Sequence, residues 1–185
     1  MTNLQKQVQT LYKNYPEMPY ISPNRPLKEW LDGLDIGKSH LVAKRQMERF
    51  PNGLLPGDLI LLWRISLGTF TTDSWYPKYF EYDYGINGPQ SLDQLVDQGF
   101  ARQMTAKESL TYQTAPQLKQ LLKQKNVKGY SKLKKDELIQ EVKEHFDDAT
   151  LDQTISLRGY ALTPKGEQAL KDYPEPVERH PKKSL

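Results

Sequence analysis

The sequence contains no cysteine. That excludes disulfides, thiolate zinc fingers and a thiol nucleophile, and it fits a reducing compartment. Long apolar runs are missing too: no segment reaches the roughly 20 residues of a membrane helix. The opening MTNLQKQVQTLYKNY lacks the basic start and apolar stretch of a signal peptide. A soluble, cytoplasmic protein is expected. The three histidines (His40, His145 and His180) have no metal-ligand spacing. His145 reads as the solvated end of a helix, and His180 falls in a tail. There is no phosphate-binding glycine loop, HExxH or GxSxG, and carboxylate pairs such as Asp147/Asp148 suit turns and caps. The expectation is a non-enzymatic protein without cofactor or metal.

What is present is a polar chain of 185 residues, 37% hydrophobic, with mean hydropathy −0.76. Three Trp, eleven Tyr and five Phe supply enough large side chains for a folded core. The net charge of +3 is uninformative, but its distribution is not. Residues 118–146 hold eight Lys against four Asp or Glu, a net +4, leaving 18 basic and 19 acidic residues elsewhere, a net −1. A basic excess confined to one segment is the footprint of an anion-binding module.

Along the chain, residues 1–15 read as an amphipathic helix: Thr2 and Gln5 have capping-box spacing, and Leu4, Val8, Leu11 and Tyr12 share a stripe. The proline-rich stretch 15–26 must be an extended connector. Helical pieces are predicted around Leu27–Leu34 and from a Ser39 cap to Phe50. LLPGDLILLWRIS (54–66), with Pro56 at its first turn, predicts a buried helix. DSWYPKYFEYDYGI (73–86) reads as another, capped by Asp73 or Ser74, with i,i+4 aromatic pairs that suit core packing better than a stacking platform. Residues 88–98 predict a helix ended by Gly99, followed by extended chain. SLRGYALTPKGEQALKDY (156–173) predicts a strand, then a helix capped by Thr163 and opened by Pro164.

This series, with an L…L…GF element before the first strand and LTPKG after the second, resembles a winged-helix domain. The resemblance implies a discontinuous body over 54–112 and 155–173. It departs from the family in its wing, where some fifty residues separate the two strands. An N-terminal helical region (1–53), an inserted module (113–150) and a disordered tail (174–185) complete the expected organisation. The fold class is mainly α with a small β wing.

The insertion, TAPQLKQLLKQKNVKGYSKLKKDELIQEVKEHF (114–146), predicts two short helices around a small apolar contact. Thr114 and Gln117 form a capping box. Leu118, Leu121 and Leu122 face Leu138, Ile139, Val142 and Phe146. Through LKQLL, a turn containing Gly129 and KKDELI, it resembles the SAP module and the related N-terminal helical module of the terminator Rho. The resemblance implies DNA binding with weak sequence preference, double-stranded DNA ahead of single-stranded. Lys123, Lys125 and Lys128 suit the C-terminal end of the first helix. Lys132, Lys134 and Lys135 instead crowd the positive end of the second, where like charge costs stability and a phosphate would repay it. The predicted contacts are Lys128, Gly129, Tyr130, Ser131, Lys132, Lys134 and Lys135, with the helix start at Ser131. Gly129 would allow close backbone approach, and Tyr130 would donate to phosphate or stack.

The predicted recognition helix of the body, PQSLDQLVDQ, has two Asp and no Lys or Arg, a poor face for DNA. The expected function is therefore phosphate-backbone binding through the lysine module. Proteins of this build are similar to those carried by phages and other mobile elements. The alternative is an assembly protein that uses the hairpin or the N-terminal helix to hold a partner or a second copy.

Overall fold

Capping signals and apolar spacing account for most of the helices. A computed structural model describes residues 1–182. The fold is mainly helical, 52% of it, with one two-stranded antiparallel sheet. The elements run α1 (Asn3–Leu11), α2 (Leu27–Asp35), a 3₁₀ turn (Lys44–Met47), α3 (Pro56–Ser66), α4 (Tyr79–Tyr82) and α5 (Gly88–Asp97). There follow β1 (Ala101–Gln103), a second 3₁₀ turn (Glu108–Tyr112), α6 (Ala115–Gln124), α7 (Lys135–His145), α8 (Asp148–Thr154), β2 (Tyr160–Leu162), α9 (Pro164–Asp172) and α10 (Glu175–Arg179). Both capping boxes form, Thr2 with Gln5 and Thr114 with Gln117, and Thr163 accepts from the Gly166 N–H.

The chain divides into two compact units, and not along the expected segment boundaries. One comprises residues 1–66, 75–101 and the chain from Leu162 onward; the other comprises 67–74 and 102–161. The N-terminal region shares the first unit's core because its side chains are built into it. Val8 and Tyr12 are buried, and the Phe50 ring stacks on Tyr173 at 4.6 Å.

The first unit is organised around α3, apolar on nearly every side, which contacts the first 3₁₀ turn, α5, α9 and α10. Its entry is fixed by Asp58, which accepts from the Leu55 N–H at 2.8 Å and from Ser91 Oγ at 2.5 Å. Burial pushes the Asp58 carboxyl above its ordinary range, against those two hydrogen bonds. Arg25 is buried between the rings of Trp30 and Tyr82, beside the Glu81 carboxylate at 3.3 Å.

Three expectations in this unit fail. Residues 39–50 form only a 3₁₀ turn, because the Val42 N–H and C=O are bonded to Tyr12 and Tyr15 hydroxyls in extended backbone. Residues 73–86 shrink to the single turn α4, since Pro77 disfavours helix at Tyr76 and Ser74 closes a turn on Thr71 instead. The Tyr76 ring lies where a side chain at residue 88 would stand, so Gly88 is required there. Phe80 and Tyr84 are core residues, but Trp75 is 74% exposed. The tail expected from 174 onward is ordered through α10, which packs on α3 and buries Pro176 and His180. Residues 183–185 of that expectation lie outside the described residues.

The second unit has its own apolar cluster. Leu118, Leu121 and Leu122 of α6 meet Leu138, Val142 and Phe146 near α7, with Ala106, Leu110, Leu151 and Ile155 enlarging it. Two short helices alone would bury too little; the second 3₁₀ turn and α8 supply the remainder. Residues 67–74 join through Thr72, whose N–H donates to the Arg158 carbonyl at 2.8 Å, and through Tyr112 Oη on the Gly68 carbonyl at 2.8 Å.

Candidate nucleic-acid interface

The lysine segment begins where α6 ends. The Asn126 and Val127 N–H groups bond back to the Lys123 and Leu122 carbonyls at 3.0 and 3.1 Å, the two bonds of a Schellman motif. Asn126 takes the left-handed position, φ 57°. Lys125, its charge at the favoured helix end, lies with Nζ 5.1 Å from the centre of the Phe146 ring.

From Val127 to Lys134 the chain is non-helical and exposed except where it touches the cluster. Gly129 has φ 80° and open space where a Cβ would stand, so its need is conformational. Val127, Tyr130 and Leu133 pack against the apolar cluster. Tyr130 is thereby half-buried, and its ring is a packing side chain rather than a free stacking platform. Ser131 is not a helix start: it sits in a turn, and its carbonyl accepts from Lys119 Nζ at 3.1 Å. Lys119 is thus a member of the cluster that spacing alone had not singled out. Half-buried on α6, it reaches the loop only once the hairpin closes.

Helix α7 starts at Lys135, with Lys134 as its N-cap in extended backbone, φ −74° and ψ 164°. A lysine side chain cannot accept a hydrogen bond, and no side chain caps this end. The N–H groups of its first turn therefore face outward without a side-chain acceptor. Asp136 and Glu137 in that turn suit the helix dipole, while Lys132, Lys134 and Lys135 oppose it. Lys135 Nζ donates to the Thr111 carbonyl at 2.7 Å, which anchors that cation beside the second 3₁₀ turn.

Among the described residues, none of Lys119, Lys123, Lys125, Lys128, Lys132, Lys134 or Lys135 has a carboxylate within ion-pair distance. Elsewhere in the same unit Arg102 pairs with Glu108 at 2.7 Å, Lys107 with Asp148 at 3.8 Å and Arg158 with Asp152 at 3.6 Å, while Lys143 in the last turn of α7 has no such pair among the described residues. The Arg102 guanidinium and the Thr105 N–H hold the Glu108 carboxyl down at about 2. Asp147 caps α8 by accepting from the Thr150 N–H at 2.7 Å.

His145 ends α7, exposed, with Nδ1 at 2.8 Å from the Glu141 carbonyl. No group of three or more metal-binding side chains occurs among the described residues, and none of their helices is long and apolar enough to cross a membrane. No family model, curated protein or solved structure matches the chain.

Proposed function

We propose that the protein binds nucleic acid without acting on it as an enzyme, through the lysine face of the α6–α7 hairpin, and that DNA is its partner. The observation that carries this reading is the run of seven lysines without carboxylate partners around an uncapped helix start. Held together without ion-pair partners, those side chains repel one another, and Lys132, Lys134 and Lys135 oppose the α7 dipole that Asp136 and Glu137 partly favour. A phosphate chain supplies the missing charge and the missing acceptors together. The helix–extended loop–helix build supports a SAP-type module. The order α3, α5, β1, β2, α9 supports a winged-helix-like body with that module in its wing.

Lys132 and Lys134 are the principal phosphate contacts, with Lys128 beside them. Lys135 contributes from a position already tied to Thr111. Double-stranded DNA is favoured over single-stranded because Tyr130 is spent on packing. The assembly reading is weakened by α1: Val8 and Tyr12 are used within their own unit, leaving Leu11 as the exposed apolar residue of that stripe.

The test is a gel shift at two salt concentrations with duplex and single-stranded probes, on the wild type and on Lys132→Ala/Lys134→Ala/Lys135→Ala. The wild type should bind with steep salt dependence. The variant should keep its fold and lose most affinity, with a log–log salt slope shallower by about three. Equal affinity of the two proteins would overturn the proposal.

A further inference from the structure

A second feature lies in the first unit, at the C-terminal helix α10, and takes no part in the nucleic-acid reading. The His180 side chain, only 9% of the residue exposed, is enclosed by three aromatic rings. Trp63 of α3 stands at 5.5 Å between ring centres, Tyr79 of α4 at 4.8 Å and Tyr84 at 5.7 Å. Its Nδ1 is 2.6 Å from the Tyr84 hydroxyl. Backbone ties to α10 are local: the His180 N–H donates to the Pro176 carbonyl at 3.0 Å, and the Glu178 N–H to Pro174 at 3.1 Å. A five-residue helix is too short to persist alone. Its side chains hold it to α3, and His180 is the largest polar one buried there.

We infer that His180 is a proton-operated latch: neutral, it pins α10 against α3 and the Tyr79–Tyr84 segment; protonated, it releases that helix.

The hydrogen bond sets the direction. Burial pushes the Tyr84 phenol up to about 12, so Tyr84 keeps its proton; in the tautomer with Nδ1 unprotonated, that hydroxyl donates to it. A proton added to Nδ1 would meet the Tyr84 hydrogen across the same 2.6 Å gap. The hydroxyl hydrogen would have to turn away from its acceptor, leaving only the oxygen to accept from the imidazolium.

The surrounding charges act in the same sense. From α3 comes Arg64, whose guanidinium donates to the Tyr79 hydroxyl at 3.0 Å. From the C-terminal segment come Arg179 and Lys182, the latter with Nζ on the Val177 carbonyl at 2.5 Å and near the Trp63 ring. Arg45 of the first 3₁₀ turn adds a weaker positive field at Tyr84. Asp83 is the acid that opposes them, and it is 2.6 Å from His40 Nε2. Glu175 and Glu178 of α10 are exposed. Burial first, then Lys182 and Arg64, hold the imidazole below its ordinary value. For a folded-state value depressed in this way, docking is complete above about pH 6.5 and is lost as the pH falls through the lower folded value.

The experiment is amide hydrogen exchange of residues 177–180 on the full chain at about pH 7.5 and about pH 5, corrected for intrinsic exchange. The wild type should lose protection there at the acid pH, since the opened segment takes up a proton that the docked imidazole resists. His180→Phe, which keeps an aromatic ring without a titrating group, should be equally protected at both. Unchanged protection in the wild type overturns the latch, as does an equal acid loss in His180→Phe. The imidazole titration of the wild type, followed by NMR, gives a test that needs no variant. Its midpoint should lie below about 6.5 and coincide with the loss of protection; a midpoint above that value overturns the proposal.

Discussion

The α3-centred unit and the lysine hairpin treat charge in opposite ways. Around α3, several charged groups have a partner at hand: buried Arg25 beside Glu81, exposed Arg49 on Glu17 at 2.7 Å and buried Asp58 on Ser91 and the Leu55 N–H. In the hairpin, seven lysines have no carboxylate partner, and two of them, Lys119 and Lys135, reach only backbone carbonyls. Even in the first unit the match is partial, since the buried Nε of Arg25 makes no hydrogen bond. The hairpin differs in gathering its unpaired cations into one segment, where an external anion would meet them together.

The largest expected effects separate the two cores. Leu59→Ala and Leu138→Ala each remove a fully buried side chain and should each cost about 3 kcal/mol. All three tryptophans lie in the first unit. Leu59→Ala should therefore lower the denaturation midpoint read by tryptophan fluorescence. Leu138→Ala should show first in far-ultraviolet circular dichroism, with that fluorescence midpoint little changed. If both variants move both signals equally, the two units unfold as one.

Next in size is Asp58→Ala, which leaves the Leu55 N–H and Ser91 hydroxyl unpaired and should cost about 2 kcal/mol in urea denaturation. Because burial raises this carboxyl, its ionised form is penalised in the fold. That penalty is absent below the ordinary value of 3.8 and grows as pH rises through the folded one. Asp58→Asn should remove that pH dependence from the unfolding curve.

Thr114→Ala, which opens the α6 capping box, should cost about 1 kcal/mol in the hairpin unit alone. The smallest expected change is the most pointed. Lys134→Ser places an acceptor at the uncapped start of α7 and removes an opposed charge, so it should stabilise the hairpin by about 0.5–1 kcal/mol. The same change should weaken DNA binding in the gel shift. A variant more stable and equally tight in binding would show that the charge run is merely solvated.

Much of this was legible in the chain because its signals are local. Thr114 and Gln117 lie one helical turn apart, as do Leu118 and Leu122, and nothing distant is needed for them to meet. The candidate face was legible as a charge excess, although its details were not. Ser131 falls in a turn and Tyr130 packs inward because Val127, Tyr130 and Leu133 must all reach the apolar cluster, which pulls the loop away from helix until Lys134. The role of Lys119 depends on the loop folding back over α6, a contact twelve residues away in sequence.

By itself, then, the sequence determined the capped helices, the buried character of α3 and the concentration of lysine between Lys119 and Lys135, since each depends on neighbours within a turn or on composition. Tertiary structure alone decided where helix gives way. Tyr12 and Tyr15, some thirty residues away, take the Val42 backbone polar groups and keep 39–50 from becoming a helix. Tyr84 receives His180 from 96 residues away and turns an expected loose tail into a docked helix. A backbone N–H or C=O must be bonded somewhere once it is buried. When a distant side chain offers that bond together with apolar burial, the few tenths of a kcal/mol per residue of helix propensity do not compete.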